Sequence, residues 1–558
     1  MSVKETRVIG PPGTGKTTWA SRKIYDIVRE HGSKSVIVAS LTRAAAAEVV
    51  GRSLPIDRDQ IGTLHSHAYH ALGTPKLAQT PDAIEEWNAG NHSYPITPNS
   101  VVNFEQASVD GRWQLKSEGD ILLANTGLRR SRMTPEELWP KPEQMFMKVW
   151  RDFKQTNELI DFTDMIEIAL HDVEDAPGCP SYFIVDEAQD MDRLGMALVR
   201  KWGENMDEIY FVGDFFQCLY EWRGSDGNVL LDPPVPKEQE IVLNYSYRVP
   251  ASVHKVAMTF MKEMPGYEKI VYSPRHEIAT DFSTPIAEGE VLRSPATFRA
   301  PEPALVDAEK YLKQGYSVMF LTTTNYMTET ITAQLKERGI PFGNKYARHR
   351  GAWNPLLPGT SKRIMARDRI LAFLRPDTET WGDNSALWTW EDVYKFGDIL
   401  IVKETMHHGG KAYLREHKAS NITPSLDELL KKVFIEDSMD HIFQGDLDWL
   451  LNNTVESRRA ALKFPIQVAK KRGGAALVDE PKLTVGTVHS VKGGESDIVF
   501  IFPDISVQAW DGWSKKHITQ PEHQAIRRQF YVAFTRAREK LVLCDPATRL
   551  FVDDFPWG

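Results

Sequence analysis

Cysteine is scarce: Cys179, Cys218 and Cys544 are the only three in 558 residues. They lie far apart at no metal-ligand spacing, so neither a disulfide framework nor a cysteine zinc site is expected. No apolar run approaches the roughly 20 residues that span a bilayer. The first residues, Met1-Ser-Val-Lys-Glu-Thr-Arg7, lack a signal-peptide pattern, and an intracellular protein without membrane contact is expected. Positive charge is not in excess either, since 67 Lys and Arg face 76 Asp and Glu for a net charge of −9. That total does not exclude a nucleic-acid binder, because binding depends on where the charge sits. Lys345, Arg348, Arg350, Lys362, Arg363, Arg367, Arg369 and Arg375 share one stretch with Asp368 as its only acid. A solvated helix face accounts for that cluster equally well. No internal repeat or low-complexity linker is read from the chain.

What is present is an ordinary globular composition, 42% hydrophobic and 26% charged, in a chain too long for one core. Gly10, Pro11, Pro12, Gly13, Thr14, Gly15, Lys16 and Thr17 fit the phosphate-binding pattern G-x-x-x-x-G-K-[ST]. Thr6-Arg-Val-Ile9 before them reads as a strand, and Thr18 onward as a helix. Glycines let the backbone wrap a phosphate, and N–H groups at a helix start point at the anion. Lys16 suits the β- and γ-phosphates of ATP, and Thr17 suits Mg²⁺. A second element, Phe183-Ile-Val-Asp-Glu-Ala-Gln-Asp190, is an apolar run ending in acids. It predicts a buried parallel strand whose polar residues emerge at the ligand-binding edge. There Asp186 can hold the metal and Glu187 can orient or deprotonate a water. The two elements together predict an α/β P-loop NTPase.

Further segments carry a resemblance. Asp186-Glu-Ala-Gln-Asp190 resembles the Walker B motif of the UvrD/Rep/PcrA group of superfamily 1 helicases. Ala39–Glu48 is similar to motif Ia, Gly62-Thr-Leu-His-Ser66 to motif Ib, and Asp161-Phe-Thr-Asp-Met-Ile166 to the acidic-aromatic segment before Walker B. Val212–Gly224 resembles motif III, Leu243–Arg248 motif IV, Val485–Glu495 motif V and Gln529–Arg538 motif VI. The matches follow the family order along nearly the whole chain.

The resemblance implies two RecA-like motor domains, each carrying a mainly helical insertion. The first is expected over 1–72 and 149–240 with an insertion at 73–148, the second over 241–342 and 482–558 with an insertion at 343–481. By resemblance Gln217 senses the γ-phosphate, Arg248 and Arg536 reach it from the second motor domain, and Glu495 contacts the ribose. Thr42, Thr63, His65, Thr487 and His489 would touch a strand's backbone through hydroxyl, imidazole or nearby N–H groups. Tyr220 and Trp222, two apart and so on one face of an extended segment, are expected to stack on bases, with Arg223 near phosphate. His65, His67 and His70 lack an acidic or Cys partner for a metal.

The implied activity is ATP-dependent translocation on single-stranded DNA and unwinding of tailed duplex. A 3′→5′ direction follows from His489-Ser-Val-Lys-Gly493, which resembles the UvrD form of motif V. The sequence departs from the family in having no Gln among the nine residues before Gly10, which leaves base selectivity open. Leu41 replaces an aromatic and Gly494 a common Leu. The second insertion is smaller than in larger relatives, and neither a C-terminal nuclease nor a long tail is expected. Two other readings stay open: a nucleotide-gated switch or sensor subunit of a larger repair or defence complex, and an RNA motor.

Overall fold

The computed structural model describes residues 4–40, 54–90, 93–97, 117–344, 354, 356, 364–374, 388–515 and 517–555. Contacts divide the chain into two units. The first comprises Met1–Pro295, Leu321–Asn325 and Gly486–Gly558, and the second Ala296–Phe320 and Tyr326–Val485.

In the first unit, six strands form one sheet: β1 (Lys4–Ile9), β2 (Val36–Ser40), β3 (Ile61–Thr63), β4 (Tyr182–Asp186), β5 (Glu208–Gly213) and β6 (Glu240–Val242). Their order is β3-β2-β4-β5-β1-β6 and every pairing is parallel. Parallel strands are covered on both faces, which explains the unbroken apolar run in β4. Ile184 faces one core with Val8, Ile24 and Val212, while Phe183 and Val185 face another with Leu198 and Trp202. Helix Lys16–His31 supplies the first cover, and helices Phe162–Asp172 and Arg193–Gly203 the second. Ile9, Asp186 and Gly213 therefore end at one edge of the sheet.

The same unit holds β10 (Ser496–Ile501) and β11 (Ala537–Cys544), parallel to each other, with β7 (Glu290–Ser294) parallel on the far side of β11. The division falls inside β8 (Val318–Thr322) and β9 (Leu483–Thr487). At their first-unit ends, Phe502 N–H donates to the Leu321 carbonyl (3.1 Å) and Val488 N–H to that of Thr322 (3.0 Å). Helix Pro521–Phe534 leads into β11.

Helices Pro81–Gly90, Glu118–Ser131 and Lys141–Thr156 lie where a helical insertion is expected. They pack around Trp87, Phe146 and Trp150. Lys141–Thr156 is continuous, so the boundary expected at 148 falls inside a helix rather than at a linker. The second unit is largely helical and includes Leu426–Lys432 and Leu447–Asn452. Helix Asn325–Arg338 ends at Gly339, whose φ of +62° and approach to Gln467 leave no room for a side chain. Among the described residues no helix is long and apolar enough to cross a membrane.

Candidate nucleotide and nucleic-acid site

The glycine-rich loop joins β1 to helix Lys16–His31 at the sheet edge. Gly13 and Gly15 have φ of +75° and +85°, the left-handed region that glycine adopts without cost. Gly13 is also closely covered, since a Cβ there would lie 2.6 Å from Arg248 Cβ and 2.9 Å from Ser246 Oγ. The residues 244–248 close over the loop: Tyr247 N–H donates to the Gly13 carbonyl (2.7 Å), and the Tyr272 hydroxyl to that of Pro12 (2.7 Å). Within the loop, Thr14 Oγ1 donates to the Pro11 carbonyl (2.8 Å) and Lys16 Nζ to that of Gly10 (2.7 Å). Burial holds the Lys16 ammonium below its usual pKa against the pull of Glu187, Asp214 and Asp186. Thr17 is half-buried and Thr18 exposed at the helix start. A backbone cradle, one ammonium, one hydroxyl and the nearby Asp186 suit a triphosphate with a divalent cation.

β4 delivers its acids as the sequence pattern predicts. Asp186 is buried at the strand end and accepts from Glu187 N–H (3.0 Å). Glu187 has φ +55° and ψ +40°, a left-handed conformation that costs a non-glycine residue about 1–3 kcal/mol and clusters at functional sites. Burial pushes its carboxyl up, but Lys492, Lys16, Gln189 and Arg536 together bring it down to about 2. Gln189 donates from Nε2 to Glu187 and accepts from Asp214 N–H (3.0 Å), so the half of this segment without a clear role in the sequence ties β4 to β5.

Gln217 lies in the turn after β5 and donates to Asp214 (2.7 Å). Arg536 Nη2 donates to Gln217 Oε1 (3.3 Å), while its Nε and Nη1 hold the carbonyls of Val532 (2.9 Å) and Gly494 (3.0 Å). Burial first, then Arg248, lower the Arg536 guanidinium to about 10. Arg248 points elsewhere: its Nε donates to Glu495 (2.5 Å), whose other oxygen lies 3.4 Å from Arg538. The Glu495 carboxylate expected at a ribose is thus held by two guanidiniums here.

Lys492 was quoted within a motif but given no task by sequence reasoning. Its ammonium is paired with Asp190, donates to the Gln217 carbonyl (3.2 Å) and stands 3.6 Å from Glu187. Burial alone would lower it, yet Asp190 and Glu187 hold it above its usual value. One lysine therefore bridges both acid-bearing turns.

A repeat was also missed. Gly62-Thr-Leu-His-Ser66 at the end of β3 and Gly486-Thr-Val-His-Ser490 at the end of β9 have the same form, G-T-x-H-S. Their geometry matches: Thr63 Oγ1 accepts from Ser66 N–H (3.1 Å), and Thr487 Oγ1 from Ser490 N–H (3.2 Å). Each serine hydroxyl returns to its threonine's carbonyl, at 2.8 and 2.9 Å. Thr63 and Thr487, expected to touch a strand through their hydroxyls, are buried at 6% and 2% exposure and cap these turns. His65 and His489, half-buried at these turns, are both lowered to about 4, chiefly by burial. His67 bonds the Val38 carbonyl (2.9 Å), a satisfied core histidine, and no metal-holding cluster of His, Cys, Asp or Glu occurs among the described residues.

The stacking expectation needs correction at Tyr220. The segment is not extended: Glu221–Arg223 is a 3₁₀ turn, so the two rings do not alternate as on a strand. Tyr220 is only 4% exposed, with Lys492 Nζ 5.2 Å from its ring centroid and His489 beside it at 6.2 Å. Trp222 remains half-buried with Arg223 5.9 Å from its ring. Thr42 and most of the segment likened to motif Ia lie outside the described residues, as do most of the basic residues from 345 to 375.

Parallel sheets, a phosphate loop and strand-end acids define a P-loop NTPase with two RecA-like domains. Residues 2–233 match the UvrD/REP helicase N-terminal domain family. It is 21% identical to the ATP-dependent DNA helicase PcrA of Staphylococcus epidermidis and 24% to that of Staphylococcus aureus. Both alignments cover 97% of this chain and 81% of the relative. A probable DNA helicase II homolog of Mycoplasma genitalium is 22% identical over 95% of this chain and 81% of its own length.

Proposed function

We propose that the chain is an ATP-dependent DNA helicase that moves 3′→5′ along a single strand and so opens tailed duplex. The observation that carries this reading is the cluster around Gln217. Arg536 meets its side chain, and Lys492, three residues after His489, joins its carbonyl to Asp190 and Glu187. Groups suited to hydrolysis and a loop suited to a strand thus share hydrogen bonds.

In this reading Lys16 and the loop N–H groups hold the β- and γ-phosphates, and Glu187 takes the proton of the attacking water. Thr17 and Asp186 would hold Mg²⁺, which supplies neutralising charge to the phosphates. Arg536, with Gln217, stabilises charge in the transition state, a role worth ~10³–10⁵ in rate where an arginine supplies it. Arg248 joins them once Glu495 turns to the ribose. Trp222 stacks on a base, Arg223 takes phosphate, and the turns at His65 and His489 face the backbone through N–H groups. The helical segments near 73–148 and within 343–481 serve as insertions on the two motor domains.

The test is ATP hydrolysis with and without oligodeoxythymidine or its RNA counterpart. Single-stranded DNA is expected to stimulate turnover, Lys16→Ala to abolish it, and Glu187→Gln to keep ATP binding while turnover falls at least ~10²-fold. No stimulation by DNA overturns the reading, and stimulation by RNA alone replaces it with an RNA motor.

A further inference from the structure

Glu221 sits between Tyr220 and Trp222 in the 3₁₀ turn, at a position that neither base stacking nor hydrolysis uses. Its carboxylate is paired with Arg528 of helix Pro521–Phe534. Arg528 is 2% exposed, donates from Nη2 to Gln524 (3.1 Å), and lies 5.0 Å from the ring centroid of Phe215. Phe215 opens the short turn that ends in Gln217, and Arg536 follows the same helix two residues past its end. On its other side, the Glu221 carbonyl accepts from Arg132 Nη2 (3.1 Å), at the end of helix Glu118–Ser131. One ion pair therefore spans the turn that carries Trp222 and the helix that carries Arg536.

Stability is a poor explanation for this pair. Removing two charges from water costs several kcal/mol per ion, and apolar replacements of buried pairs are often neutral or stabilising. The cost is offset only where every remaining polar atom finds a partner. Here Glu221 Oε2 and Arg528 Nε are both buried without a hydrogen bond. A buried pair kept at this cost suits a role in holding two elements in one register rather than in net stability.

We propose that Glu221 and Arg528 are a positioning pair that links the seating of Trp222 on a strand to the seating of Arg536 against Gln217. Strand occupancy would thereby set the hydrolysis rate. The inference rests on the motor reading above. Among the described residues neither makes a hydrogen bond or ion pair to the nucleotide loop or the strand-end acids, so the pair acts through the turn that carries Trp222 and the helix that leads to Arg536.

The experiment compares the full-length protein with Glu221→Gln, Arg528→Gln, the double variant and Arg528→Lys. ATPase rates are read without DNA and across a titration of oligodeoxythymidine. Each Gln variant is expected to lose about 10-fold in DNA-stimulated kcat, with KM for ATP and the DNA-free rate within about twofold of the parent. The double variant is expected to be no worse than the poorer single, because both remove one contact, and Arg528→Lys to keep most of the stimulation. A purely structural pair would lower the melting temperature and leave stimulation per folded molecule unchanged. That result, or losses that multiply in the double variant, overturns the proposal. Glu221 lies in a turn, so Glu221→Gln decides the question should Arg528→Gln fail to fold. Absence of DNA stimulation in the parent sinks the motor reading and this pair with it, whereas failure confined to the variants sinks the pair alone.

Discussion

His489 remains neutral because burial disfavours its charged form, and Lys492 adds repulsion. Its folded pKa of about 4 lies below the ordinary 6.5. Between those values the unfolded chain binds the extra proton, so stability rises with pH there. This contribution is complete above about pH 6.5 and is lost as pH falls towards 4. The melting temperature of the parent, measured against His489→Asn, should therefore shift in favour of the variant from pH 7.5 to 5. A difference independent of pH would show that the imidazole titrates normally. The two aromatics of the 220–222 turn separate in the same way. Trp222→Ala should weaken single-stranded DNA binding by about 1–3 kcal/mol with little change in melting temperature. Tyr220→Leu should instead cost stability, roughly 1–3 kcal/mol, because its ring is packed under Lys492 rather than offered to a base. Fluorescence anisotropy and thermal denaturation on both variants check the division.

Helices Glu118–Ser131, Lys141–Thr156 and Phe162–Asp172 meet over one buried charge network. Arg130 Nη1 donates to both oxygens of Asp161 (3.1 and 3.0 Å), which also accepts from Lys154 (2.6 Å) and Trp150 Nε1 (2.9 Å). Asp161 further caps its helix by accepting from Asp164 N–H (2.7 Å). Burial opposes ionisation, but Arg130 and Lys154 hold the Asp161 carboxyl far below the usual range. Arg130→Met should cost about 3–5 kcal/mol, because it strands buried acids. Urea denaturation checks this, and a loss below 1 kcal/mol would mean that Lys154 suffices. This element also shows what the sequence could carry. The strands β1 and β4 and the helix after the phosphate loop follow from local pattern, since apolar runs and helix starts are written in neighbouring residues. Arg130 has no such signature, because its partners lie 31 to 37 positions away. Lys492 with Asp190 and Arg528 with Glu221 were illegible for the same reason. Tyr220 misled through a wrong local premise: spacing of two implies a shared face only on an extended chain, and a 3₁₀ turn rotates it away. The G-T-x-H-S pair at 62–66 and 486–490 was legible and overlooked, because five residues make a repeat too short to stand out without its strand ends.

For the whole molecule, the proposed function requires the groups around Gln217 and the turns at His65, Trp222 and His489 to depend on one another. Gln217 is held by Arg536 and Lys492, and the Trp222 turn by Arg528, so strand and nucleotide should influence each other reciprocally. With a net charge of −9, the proposed affinity for DNA would rest on local contacts rather than on the global field. The measurement that tests the central claim most directly is strand displacement from duplexes bearing only a 3′ or only a 5′ single-stranded tail, with ATP and Mg²⁺. The account predicts displacement from the 3′-tailed substrate, none from the 5′-tailed one, and none from either with Lys16→Ala. Displacement confined to the 5′-tailed duplex would contradict the direction, and ATP turnover without displacement from either would contradict the helicase itself.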